Sequence, residues 1–268
     1  IGRASLKGIG APDESGQSRT RAVMVAVGAL FVIPLVYFLL ELGAATLQII
    51  LTIMFLVLAI MLMIEGIRDG KVARDKTIAM MIIFAFNILF WMFFEQAGSS
   101  FTFLAENIVD RVGALGMDVL PTAWFQSVNS VAIIVCAPII AWVWVAMGKK
   151  NVNPSIPRKF GLGIIFNGIA FGLLMYALSF LVDPMYGKIP FWTLFAVYWI
   201  QSIGELCLSP IGLSMVTKLA PVRLVGLGMG GWFLSTGIGN NLSGIFASHV
   251  SGESGMSVQS ALSGYTFG

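Results

Sequence analysis

Two carboxylic acids stand inside long apolar stretches where ordinary surface charge has no place. They are Glu95, in Phe90-Trp-Met-Phe-Phe-Glu-Gln-Ala-Gly-Ser-Ser100, and Glu205, in Gln201-Ser-Ile-Gly-Glu-Leu-Cys-Leu-Ser-Pro-Ile-Gly-Leu-Ser214. A charged side chain near the centre of a bilayer costs about 2.5 to 3.5 kcal/mol on insertion scales, so acids in such places face a bundle interior or a wet cavity and bind ions or substrates. Burial favours the protonated carboxyl and a neighbouring cation favours the ionised one. An acid in a cavity that opens and closes can therefore take a proton on one side and release it on the other. Glu41 and Glu65 lie at the ends of their stretches, within reach of headgroups, and read as interfacial.

Helical spacing groups other side chains with each acid. Phe84, Trp91 and Glu95 are separated by seven and four residues and share one stripe, with Asn87 beside them. Tyr198, Ser202, Glu205, Ser209 and Gly212 step by three or four, so a polar seam runs along an otherwise apolar rod, and Pro210 frees a carbonyl one turn back. That face is expected to line a cavity. Gln126 and Asn129 share a face three residues apart, and Trp232 is followed by Ser235 and Thr236 amid glycines. For these last positions helix packing explains the pattern as well as ligand binding does.

The elements that position these groups follow from composition. The 268 residues are 57% hydrophobic and only 11% charged, with a mean hydropathy of +0.90. So little charge cannot cover a soluble surface, which excludes a soluble enzyme and marks a membrane protein. Basic residues lie in short runs between apolar stretches instead of on one face, so the net charge of +3 does not point to nucleic acid. Cys136 and Cys207 lie apart within apolar segments and indicate neither a metal site nor a disulfide framework.

Hydrocarbon about 30 Å thick needs about 20 apolar residues in a helix. The stretches 22–42, 44–67, 77–98, 122–147, 160–182, 190–216 and 224–248 qualify, so about seven helices are expected. Helices are favoured over barrel strands because the runs are too long and each backbone amide in lipid must bond within its own segment. Gly43 leaves almost no loop between the first two, predicting a tight antiparallel pair. Fourteen basic residues then fall in the loops on one side and only Arg111 and Lys188 on the other. The basic side is cytoplasmic by the positive-inside rule, which places residue 1 inside and residue 268 outside. The chain opens without Met and stops before a further apolar run, as a fragment would; residues 1–21 read as a polar cytoplasmic loop with no signal peptide.

Two other patterns carry less. The run Gly226-Leu-Gly-Met-Gly-Gly231 lacks the preceding strand, lysine and spaced acid of a nucleotide site, and small residues in membrane helices permit close packing. Ser243 and His249 could form an intramembrane hydrolase pair, but they are six residues apart and off one helical stripe. Such an enzyme would lose cleavage on Ser243→Ala.

The segments around Glu95 and Glu205 closely resemble the seventh and tenth helices of proton-dependent oligopeptide transporters (the POT/PTR family), in the major facilitator superfamily. Phe125-Gln-Ser-Val-Asn129 is similar to that family's eighth helix, and Met215-Val-Thr-Lys-Leu-Ala-Pro221 to the loop after its tenth. These matches occur in order along the whole chain, which resembles the C-terminal half. On this reading 68–268 is the C-terminal bundle, helices seven to eleven with the final helix missing. Residues 22–67 look like the extra helix hairpin that bacterial members carry between their two bundles.

The resemblance implies an all-α, polytopic fold and proton-coupled symport of di- and tripeptides across the cell (inner) membrane by alternating access. No enzymatic activity, metal or organic cofactor is implied, the proton serving as coupling ion. Glu95 looks like the acid that exchanges the proton, with Trp91 and Phe84 lining the peptide pocket. Glu205 and Asn129 look like the groups that hold the peptide's amino terminus, Trp232 like the tryptophan that shapes a side-chain pocket, and Gln126, Ser235 and Thr236 join the substrate-binding set. Ser130 follows Asn129 where proline is common in the family. The implied partners are peptides, protons, lipid and an N-terminal six-helix bundle that supplies the basic half of the pocket. Without that bundle the chain alone should not transport. A major facilitator carrier of another small solute and a non-transporting membrane fragment are the alternatives.

Overall fold

The computed structural model describes residues 19–251, which are helical throughout apart from short connections. They fall into two compact units divided after Leu47. The first contains α1 (Arg19–Glu41), an apolar helix with Pro34 inside it, closed by a hydrogen bond of 2.7 Å from the Tyr37 hydroxyl to Glu41 Oε1. Gly43, at φ +75°, takes the left-handed conformation that ends one helix and lets α2 (Ala44–Arg68) start at once. The N-terminal residues expected as a loop lie outside the described residues up to 18, and Arg19–Arg21 already belong to α1.

From Gln48 onward the second unit continues α2 and adds α3 (Lys71–Phe94), α4 (Ser100–Asn107), α5 (Ala123–Lys149), α6 (Ile156–Phe180), α7 (Phe191–Leu219) and α8 (Val225–Ser251). Among the described residues five helical stretches are long and apolar enough to cross a membrane: α2, α3 joined to α4, α5, α6 and α7. The sequence pattern suggested seven. The other two, α1 and α8, are helices of 23 and 27 residues. In α1 the stretch Ala26–Leu39 is apolar, and α8 is diluted by its glycines and by Asn240 and Asn241.

Besides α1, two helices begin earlier than expected. The charged turn Lys71–Lys76 is already helical in α3, its Thr77 hydroxyl bonded back to Ala73 O at 3.0 Å. α6 starts at Ile156 because Pro157, which has no N–H to lose in a first turn, fits there. No strand forms among the described residues; a parallel bridge between Val109 and Ile189 and an antiparallel one between Val112 and Val119 close the loops at the α4 end. Arg111 ties this end further, donating from Nη1 to Leu120 O at 2.6 Å.

Among the described residues apolar packing divides into two clusters. One, at the α4 end, gathers Phe101, Leu104, Phe125, Leu174, Leu194 and Tyr198. The other, toward the Arg68 end, gathers Leu62, Met80, Phe84, Phe160, Leu208, Val216 and Trp232. Glu65, at the end of α2, pairs with Arg68 at 3.7 Å and Arg223 at 3.9 Å, in keeping with an interfacial position. The helices approach closest where side chains are missing. A Cβ on Gly163 would stand 2.8 Å from Gly204 O, and one on Gly204 would stand 2.8 Å from Gly163 O, so α6 and α7 touch backbone to backbone. Without Cβ atoms at this point the two rods can hold that approach.

Candidate functional site

Between the two apolar clusters lies a layer of amides, hydroxyls and carboxylates. Its first component is the seam on α7. Ser202 donates its hydroxyl to Tyr198 O at 2.8 Å, a helical back-bond that fixes its oxygen toward α5. There Asn129 donates from Nδ2 to Ser202 Oγ at 3.0 Å and to Glu205 Oε2 at 3.1 Å. One amide on α5 thus holds two members of the seam predicted on α7. Tyr198 donates its hydroxyl to Ala97 O at 2.8 Å and fastens α7 to the segment that carries Glu95.

That segment is not simple α-helix. α3 ends at Phe94, and Glu95–Gly98 form a single 3₁₀ turn before α4. Gln96 is fully buried here, donating to Ser243 Oγ at 3.0 Å and Ser243 O at 3.1 Å while accepting the Ser100 hydroxyl at 2.7 Å. These bonds hold the turn against α8 and leave Glu95, half-buried, on the opposite side. It faces a recess of about 210 Å³ lined by Phe94, Gln126, Asn129, Tyr198 and Gln201 as well. Gln126 is further anchored by donating to Thr102 Oγ1 at 3.2 Å.

Four of the expected site residues therefore come together: Glu95, Gln126 and Asn129 on the recess, and Glu205 bonded to Asn129 behind it. Trp91 lies half-buried one turn below, its ring edge-on to Phe90 at 5.6 Å and to Phe94 at 5.2 Å, and its buried indole N–H has no hydrogen-bond partner. The remaining four are elsewhere. Phe84 is fully buried in the apolar cluster, edge-on to Phe55 at 6.0 Å, and does not line the recess. It shares the stripe of Glu95, but eleven residues of helix place it about 16 Å away along the axis. Trp232 is 3% exposed and fills the space over Gly212, where a Cβ would overlap its ring.

Ser235 and Thr236 join α3 to α8. They accept from Asn87 Nδ2 at 2.8 and 3.0 Å and donate to Trp232 O at 2.7 and 3.2 Å. In this structure they act as contacts between helices. Ser243 is buried under Gln96, and the side chain of His249 lies outside the described residues.

Three further polar groups escape a reading by stripes. Asn167 and Gln201, 4% and 1% exposed, are bonded to each other across α6 and α7; isolated amides within apolar runs are their sequence signal. Lys159, grouped by sequence with the loop charges, lies buried in the first turn of α6 with Nζ 4.3 Å from the Trp144 ring centroid. A cation at a helix N-terminus works against the helix dipole, and the indole face supplies a compensating attraction.

A family model described as the POT family matches residues 42–260. The chain is 37% identical over 181 residues to Peptide transporter YePEPT of Yersinia enterocolitica subsp. palearctica, covering 67% of this chain and 35% of that protein. It is 30% identical over 246 residues to Dipeptide and tripeptide permease B of Salmonella typhimurium, covering 91% of this chain and 49% of that one. Among solved structures it is similar to a crystal structure of peptide transporter POT in complex with sulfate, at 31% identity and a TM-score of 0.66 over 85% of this chain and 46% of that one. The chain thus spans between about a third and a half of the length of these relatives.

Proposed function

We propose, from the premise that the chain belongs to the POT family, that it is the C-terminal part of a proton-coupled symporter for di- and tripeptides. It is a multi-pass helical membrane protein and works with an N-terminal bundle by alternating access, in a bacterial inner membrane with its basic loops inside. Residues 22–67 serve as a helix pair between the bundles. No step of the activity is enzymatic.

The observation that carries this reading is the Asn129–Ser202–Glu205 cluster beside the recess of Glu95. A carboxylate braced by an amide is a receptor for an ammonium group, and a peptide always brings one. Glu95, on a turn where the α-helix breaks, has the half-exposed setting that a titrating acid needs. A proton moving down a 100 mV potential supplies about 2.3 kcal/mol. That energy concentrates peptide only if proton and peptide both bias the inward-outward equilibrium.

The test uses the full-length transporter in liposomes, following dialanine uptake with and without an inward proton gradient. Accumulation above equilibrium that collapses with a protonophore is expected. Absence of dialanine uptake under both conditions would point to a different solute or to a non-transporting chain.

A further inference from the structure

One chain of hydrogen bonds crosses three helices and ends on an atom with no partner. Asn167, on α6, donates from Nδ2 to Phe90 O of α3 at 3.3 Å. Gln201, on α7, donates from Nε2 to Asn167 Oδ1 at 2.9 Å. Gln201 Oε1 is buried and accepts nothing. The direction of the chain follows from its first member. A backbone carbonyl can only accept, so Asn167 must turn its NH2 to Phe90, leaving Oδ1 toward Gln201. Gln201 must then turn its own NH2 to Asn167, and its carbonyl oxygen is what remains.

That oxygen belongs to a side chain on the recess that Glu95 faces. A buried amide oxygen without a donor is costly, so a donor is expected at some stage of the working cycle. Of the protein's own donors on the recess, Tyr198 gives its hydrogen to Ala97 O, Asn129 gives both of its amide hydrogens to Ser202 and Glu205, and Gln126 commits one of its two to Thr102. Ionised Glu95 has no hydrogen to give. Protonated Glu95 has one.

We propose that Gln201 is a positioning residue for the coupling proton. When hydronium gives up its proton to Glu95, the new carboxyl O–H donates to Gln201 Oε1, and Asn167 holds the amide in the only orientation that presents an oxygen. The hydrogen-bonded chain then runs from Phe90 through α6 and α7 and back to Glu95, five residues beyond its start. Deprotonation opens that ring. The inference rests on the reading of Glu95 as the proton-coupling acid. The other ionisable groups brought toward it are Glu205 and Tyr198 of α7. Among the described residues the charges of α3 are confined to Lys71–Lys76, Glu106 is at the far end of α4 and Lys149 is at the far end of α5.

The experiment uses the full-length transporter in liposomes with dialanine, measuring proton-driven accumulation across a pH series and, separately, peptide counterflow without a gradient. An acceptor favours the protonated acid, so Gln201→Leu is expected to move the half-maximal pH of accumulation down by about half a pH unit, an approximately threefold loss in proton affinity. Counterflow should fall by less than accumulation at neutral pH. Asn167→Ala, which releases the amide to turn over, is expected to move the profile the same way by a smaller amount. It carries the test by the same criteria if Gln201→Leu does not fold.

An unmoved pH profile overturns the proposal, as does an equal loss of counterflow and accumulation, which would assign Gln201 to packing or to the peptide itself. Glu95→Gln in the same assay separates the two layers of argument. If it still accumulates peptide, the coupling role of Glu95 fails and the proposal with it. If it is uncoupled while Gln201→Leu keeps the wild-type profile, only the role of Gln201 fails.

Discussion

Asn129 and Glu205, on different helices and seventy-six residues apart, share a hydrogen bond of 3.1 Å from Nδ2 to Oε2. The same Asn129 nitrogen donates to Ser202, so the carboxylate is held by a group that is itself held. In Glu205→Gln the partner for an ammonium is lost. Affinity for peptides with a free amino terminus is expected to fall about tenfold, and for N-blocked peptides much less. Competition assays with matched free and N-acetylated dipeptides check this; equal losses would argue against the contact.

Glu95→Gln keeps the shape of the side chain and removes its titration. The full-length variant is expected to lose proton-driven accumulation and to retain peptide counterflow, since exchange needs no net proton movement. Joint loss of both would place Glu95 in binding or folding.

The contact between Asn87 and the hydroxyls of Ser235 and Thr236 predicts a stability effect first. Hydrogen bonds between membrane helices contribute about 0.6 kcal/mol on average. Asn87→Ala is therefore expected to lower the melting temperature in detergent by a few degrees and to reduce the amount of folded protein. A change in KM with unchanged melting would instead make this cluster part of the peptide pocket.

Gly204→Leu forces a side chain into the space occupied by Gly163 O. Overpacking of this kind costs about 1 to 3 kcal/mol, and a marked fall in thermal stability is expected. Gly237→Ala, on a helix face with open space beside it, is the control that should leave melting near that of the parent.

The helices were legible in the sequence because their apolar runs are long and their connections charged. The acids were legible because they stand inside long apolar stretches where ordinary surface charge has no place. What the pattern could not convey was depth. Phe84 and Glu95 lie on one stripe, yet three turns separate them, and that distance is the difference between the apolar cluster and the recess. The 3₁₀ turn after Phe94 was also hidden, since no proline marks it; Gln96 and Tyr198 hold it through contacts with distant helices. Asn167 and Gln201 are unremarkable alone, and only the crossing of α6 and α7 makes them a pair. Lys159 was counted among loop charges because its number, four residues before Gly163, does not reveal that Trp144 folds over it.

Gly163 and Gly204 set the rotational phase of that crossing. α6 and α7 run in opposite directions, so Asn167, four residues after Gly163, and Gln201, three before Gly204, lie one turn to the same side of the contact. Sliding either helix by one residue would turn its amide through about 100° and break the pair. The two glycines therefore act as an indexing notch. While the notch is engaged, α6 and α7 can tilt or swing only as a single lever, and the amide pair travels with them in unchanged alignment.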